Sequence, residues 1–137
     1  MTEPVRYAAT RLGNVDNRYQ MILGYPRTLC VCTGGLLRSP TLAWVLSNPP
    51  WNRNTRAAGS DIDCALVHAN DLLLTWADEI VFVNPINAAQ VAKRYKPRET
   101  QRVYVLDVPD HFAYRDPELV EGLAKELRRV GFPEGKR

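Results

Sequence analysis

No apolar run in this sequence approaches the roughly 18 residues that a bilayer-spanning helix needs, so no membrane span is expected. The opening stretch, MTEPVRYAATRLGN, lacks the apolar core of a secretory leader, and no signal peptide is read there. Cysteine is scarce: three residues, an odd number, make no disulfide framework, and a reducing cytoplasmic setting is expected. With two histidines and no cysteine spacing of the zinc type, no metal centre and no cofactor are expected. Charge of one sign is also missing. A net charge of +3 over 137 residues suits an anionic substrate but falls well short of the basic field of a nucleic-acid binder. The basic pieces LRR and GKR near the end read as solvated terminal residues. Neither internal repeats nor low-complexity segments are found.

What is present is an ordinary globular mix, 45% hydrophobic and 24% charged, long enough for one domain with a core. Residues 1–26 are weakly patterned and read as an N-terminal extension, and residues 27–137 as the domain. From Thr28 onward a rhythm of strand and helix signals appears. TLCVC, EIVFV and RVYVL are short apolar runs of the kind found in buried strands, and TRAAG is a shorter strand closed by Gly59. Between them lie PTLAWVLS, stopped by Asn48-Pro49-Pro50, then NDLLLTWAD, then NPINAAQVAKRY with an asparagine cap and Pro85 at its first position. The last helix, in DPELVEGLAKELRRVGF, has Asp116 as cap, basic residues late and Gly131 as stop. Leu119, Leu123 and Leu127 form one stripe, read as covering a sheet face rather than as a partner surface. Alternating strands and helices imply an α/β sandwich, a parallel sheet with helices on both faces. Ligands of such sheets bind beyond the carboxyl ends of the strands.

The loop after the first strand carries the chemistry. It reads Cys32, Thr33, Gly34, Gly35, Leu36, Leu37, Arg38, Ser39, Pro40. Between a buried strand and a helix N-terminus, backbone amides can converge on a tetrahedral anion. Gly34 and Gly35 are expected to supply left-handed turns and close approach. The planar fork of Arg38 suits two oxygens of a phosphate, and the amides of Thr33 through Arg38 are expected to line the cradle. Groups that hold an anion also favour a thiolate, so Cys32 is the expected nucleophile, with Ser39 donating to its sulfur.

LCVCTGGLLRSPTLAWVL resembles the low-molecular-weight protein tyrosine phosphatase family, whose signature is C-x5-R-[ST]-P after the first strand. TRAAG resembles that family's second strand, WADEIVFVN its third, and VYVLDVPDHF the segment bearing its general acid. The likeness spans roughly residues 27–130, and a compact branch of predicted phosphatases is the most similar. The resemblance implies a four-stranded parallel sheet of order 2-1-3-4, a cysteinyl-phosphate intermediate and no metal. It makes Cys32 the nucleophile, Arg38 the oxyanion clamp, Ser39 the thiolate stabiliser, Asp110 the general acid and Phe112 an aromatic of the substrate pocket. The expected function is a phosphomonoester hydrolase, a protein tyrosine phosphatase, acting on a phosphorylated protein or a small aryl phosphate.

Several residues depart from the family pattern. Gly35 stands where an asparagine typically braces the loop, His111 replaces a proline, and Asn84 stands where an aspartate is common. Residues 60–70 are shorter than the usual wall of the phosphotyrosine cleft; Trp51 is a candidate replacement wall, its other reading being an aromatic that anchors a turn. Asp107 and Asp116 compete with Asp110, as strand end and helix cap. Two other functions share the scaffold: a phosphate- or phosphopeptide-binding module without turnover, and an arsenate reductase, for which Cys64 is the available further thiol.

Overall fold

The computed structural model describes residues 24–34, 38–61, 65, 67–109 and 114–135. Of the expected N-terminal extension, residues 1–23 lie outside that set. The strands are β1 (Arg27–Cys32), β2 (Asn54–Gly59), β3 (Glu79–Phe82) and β4 (Arg102–Val105). They form one parallel sheet of order β2-β1-β3-β4, the order that the resemblance implied. The helices are α1 (Arg38–Leu46), α2 (Asp71–Trp76), α3 (Pro85–Ala92) and α4 (Pro117–Arg129).

The strand period of two divides β1 between two cores. Cys30 and Cys32 face one side, where Ala57 and Val81 join them under Leu42 and Leu46 of α1 and Leu119, Leu123 and Leu127 of α4. Leu29 and Val31 face the other side, with Ala58, Ile80 and Phe82, beneath Leu74 of α2 and Val91 of α3. The leucine stripe of α4 therefore covers a sheet face. All three of its leucines are fully buried, and each contributes about 1.5–3 kcal/mol by leaving water. Leu123→Ala would remove that transfer and leave a cavity, a loss of about 2–5 kcal/mol.

Local chemistry sets the helix ends. Asn70 accepts from the Leu73 amide, Asn84 from Ile86 and Asp116 from Glu118, so each caps the helix that follows it. Asn84 thus has a structural task at the end of the third strand. Helix α1 begins at Arg38, ahead of the PTLAWVLS stretch, and Pro40 still falls within its first turn. At its far end Ser47 Oγ and Asn48 Nδ2 both donate to the Trp44 carbonyl. Gly131 follows α4 with φ +72°, the left-handed stop expected of it. Among the described residues, no helix is long and apolar enough to cross a membrane.

Candidate active site

The strands run parallel, so their carboxyl ends gather at one pole, and β1 ends there at Cys32. The chain returns as α1, which opens on Arg38 and Ser39. Both side chains are buried with Cys32, at 4%, 0% and 3% exposure. The Cys32 thiol donates to Ser39 Oγ at 3.1 Å, and the Ser39 hydroxyl donates onward to the Ala58 carbonyl of β2 at 3.3 Å. Arg38 Nη1 donates to the Val108 carbonyl at 2.9 Å, and Nη2 reaches Thr33 Oγ1 at 3.5 Å. Val108 is itself fixed, its amide donating to Val83 O beyond β3. The structure thus brings together Cys32, Thr33, Arg38 and Ser39. Gly35, Leu36 and Leu37 of the expected cradle, the expected acid Asp110, the aromatic Phe112, and Cys64 and His111 lie outside the described residues.

Two expectations are corrected. Gly34 does not adopt the left-handed conformation, and the space where its Cβ would stand is open for 4 Å, so no turn or close approach there demands glycine. Trp51 is not a cleft wall. It is 7% exposed in the turn that enters β2, at the amino pole, where its carbonyl accepts from Arg53 Nη1. It anchors that turn, where its amide also donates to the Asn48 carbonyl at 3.0 Å as the chain passes from α1 to the edge strand β2.

Sequence reasoning missed a set of residues that hold the loop from outside. β2 runs on past its end against the loop: the Ser60 amide donates to Cys32 O at 2.7 Å and the Asp61 amide to Thr33 O at 3.2 Å. This approach is so close that a Cβ on Gly59 would meet Thr33 O at 2.6 Å and Gly34 C at 2.9 Å, and would also strike Ala65 Cβ. Gly59, not Gly34, is the glycine that the geometry requires. From α3, Asn87 Nδ2 donates to Thr33 Oγ1 and to Ser60 Oγ. The only signal in the sequence was the run of small residues Ala57-Ala58-Gly59-Ser60, which permits close approach but does not name the neighbour.

Cys30 sits two residues before Cys32 on the same face of β1, and neither forms a disulfide. Complete burial pushes the Cys30 thiol well above its ordinary value of 9.0, and the charge of Glu79 and then the neighbouring Cys32 push the same way. Cys30 is a packing residue. Among the described residues no cluster of histidine, cysteine or acidic side chains could hold a metal ion. A cleft of about 510 Å³ opens at the opposite, amino pole, between Arg27, Asn54, Asp78 and Arg102. It lies away from the nucleophile candidate, and its arginines already pair with carboxylates, Arg27 with Asp78 and Arg102 with Glu79.

No family model matches the chain, and no curated protein matches it. Among solved structures, the thioredoxin-dependent arsenate reductase of Corynebacterium glutamicum is similar in fold. The TM-score is 0.56 at 14% identity, over 92% of this chain and 67% of that one. At such an identity the likeness shows a shared fold. The neighbour is an enzyme.

Proposed function

We propose that the protein is a phosphomonoester hydrolase, a protein tyrosine phosphatase-like enzyme, whose nucleophile is Cys32. The observation that carries this reading is the contact of the Cys32 thiol with Ser39 Oγ at 3.1 Å, at the carboxyl pole of the sheet and beside a buried Arg38. A hydroxyl can turn its hydrogen toward sulfur when the thiol ionises, so Ser39 is suited to hold a thiolate. In the proposed reaction the thiolate attacks phosphorus in line and an S–P bond forms. The P–O bond to the leaving oxygen breaks, its electron pair stays on that oxygen, and Asp110 supplies the proton. Asp110 then takes a proton from water, whose oxygen attacks phosphorus. The S–P bond breaks, and inorganic phosphate and the thiolate are released. The amides of Thr33 through Arg38 and the Arg38 guanidinium would take the charge on the equatorial oxygens. The role of Asp110 rests on the resemblance of DVPDHF alone. The proposed substrates are a phosphorylated protein or a small aryl phosphate, met in the cytoplasm.

Arsenate reduction is a second reading, favoured by the name of the structural neighbour. It needs a thiol to reduce the arsenic held on Cys32, with a disulfide as the product. Cys30 is deep in the core, which leaves Cys64 or an external thiol. Turnover separates the readings. Release of phosphate from phenyl phosphate, abolished by Cys32→Ser, supports the hydrolase. Arsenate-dependent thiol oxidation without phosphate release supports the reductase. Phosphate binding with neither activity leaves a binding module. In each case Arg38→Ala should lose oxyanion binding, and Cys32→Ser should keep it.

A further inference from the structure

Asn87 is completely buried, an unusual position for an amide side chain. It faces no solvent and caps no helix. Its Nδ2 donates to Thr33 Oγ1 at 3.0 Å and to Ser60 Oγ at 3.1 Å. The Ser60 hydroxyl donates in turn to Oε1 of Gln90, one turn further along α3. Asn87 Oδ1 has no hydrogen-bond partner. A buried amide left half-satisfied does not improve the packing of a helix on a sheet. Its satisfied half is aimed at the loop that follows Cys32.

The target of that half is informative. Thr33 Oγ1 receives Asn87 Nδ2 from one side and Arg38 Nη2 from the other, so one hydroxyl joins α3 to the guanidinium. Ser60 Oγ, the other target, belongs to the residue whose amide holds the Cys32 carbonyl. The chain Gln90–Ser60–Asn87–Thr33–Arg38 therefore runs from α3 across the tail of β2 into the loop, by side chains alone. Linked hydrogen bonds of this kind fix orientation more firmly than single ones. We propose that Asn87 is a positioning residue for oxyanion binding: it holds the Thr33 hydroxyl and, through it, the direction of the Arg38 fork. It touches no substrate. The inference rests on the reading of this loop as an oxyanion cradle.

The test reads binding, not catalysis. Inorganic phosphate is titrated as a protector of Cys32 against iodoacetate, in the parent, Asn87→Ala, Gln90→Ala and Val91→Ala. Val91 is a buried residue of α3 that packs on the other core, and its truncation loosens the helix without touching the chain of hydrogen bonds. Asn87→Ala should weaken phosphate binding roughly tenfold, the worth of one or two ordinary hydrogen bonds. Gln90→Ala, at a half-buried position, should weaken it by about two- to threefold. Val91→Ala should lower the melting temperature and leave phosphate affinity within about twofold. Asn87→Ala added to Thr33→Val should cost nothing beyond Thr33→Val, because the two act through one oxygen. A parent that does not bind phosphate overturns the cradle reading and this inference with it. A parent that binds, with Asn87→Ala and Gln90→Ala binding equally well, overturns this inference alone. So does a Val91→Ala variant weakened as much as Asn87→Ala, which would reduce Asn87 to a stabiliser of the helix.

Discussion

At the amino pole of the sheet, Glu79 is completely buried and both of its carboxylate oxygens meet cations. Arg53 Nε donates to Oε1 at 2.8 Å, Arg102 Nη2 to Oε2 at 3.2 Å, and the Thr28 hydroxyl adds a bond at 2.8 Å. Arg53 also donates to the carbonyls of Trp51 and Pro133 and lies over the Phe132 ring, tying in the chain beyond α4. At the carboxyl pole Cys32 meets a hydroxyl, and Arg38 donates to a carbonyl and a second hydroxyl. Carboxylate partners neutralise a guanidinium, whereas carbonyl and hydroxyl partners aim it. Thr28 and Cys32 lie on the same face of one strand, so the five residues from Thr28 to Cys32 span both designs. One pole fastens the fold through a buried carboxylate, and the other gathers Cys32, Thr33, Arg38 and Ser39, the residues of the proposed cradle.

The largest expected effect tests the fastening. Glu79→Ala leaves Arg53 buried without its carboxylate and should cost about 3–5 kcal/mol, read from urea unfolding. Phosphate affinity of the protein that remains folded should stay within about twofold, because the loop lies at the far end of the sheet. If Glu79→Ala leaves the unfolding midpoint in place, or weakens phosphate binding tenfold, the two poles are not separate units.

Next in size is a pair of glycine substitutions at the carboxyl pole. Gly59→Ala drives a methyl group into the Thr33 carbonyl and the Gly34 backbone, neither of which is the loose end of a side chain. Overpacking of this kind should cost about 1–3 kcal/mol and should displace the loop, weakening phosphate binding as well. Gly34→Ala meets open space at a conformation other residues adopt, and its stability should stay within about 0.5 kcal/mol of the parent. The reverse ranking would mean that the tight contact lies in the loop itself and not where β2 passes it.

These two glycines mark where the sequence could be read and where it could not. The sheet was legible because its strands are short apolar runs between clear breaks, and α4 because three leucines fall on one stripe. The contact of Cys32 with Ser39, and the nearness of Arg38, were legible because a single loop carries all three and the spacing is local. Gly59, Ser60 and Asn87 were not, since they reach the loop only after two crossovers have set β2 and β3 on either side of β1. Glu79 was read within an apolar strand, and nothing in its neighbours along the chain announced that Arg53 and Arg102 would converge on it. The crowding at Gly59 is likewise a property of strand order, whereas the glycine pair in the loop drew attention by position alone.

The smallest effect sharpens the comparison within β1 itself, between Cys30 and its neighbour at the pole. The folded protein holds the Cys30 thiol neutral well above its ordinary value of 9.0, with burial the leading cause, while the unfolded chain ionises it near that value. The sign follows from proton counts. Above pH 9 the unfolded state has released a proton that the native state keeps, so stability falls as pH rises. Below that pH both states hold the proton and the contribution is constant. The decline attributable to this thiol is about 1.4 kcal/mol per pH unit above 9, until the folded thiol itself ionises. Tyrosines and lysines titrate in the same range, so the useful quantity is the difference between the parent and Cys30→Ala, measured by urea unfolding from pH 8 to 10.5. Cys30→Ala starts below the parent, having lost a buried side chain, and the gap should narrow steadily above pH 9. Iodoacetate should leave Cys30 unmodified in the folded parent over the same range, while phosphate-protectable alkylation falls on Cys32. A gap that stays constant to pH 10.5, or early alkylation of Cys30, would mean that the strand opens at its centre and that the thiol is not held as a core residue.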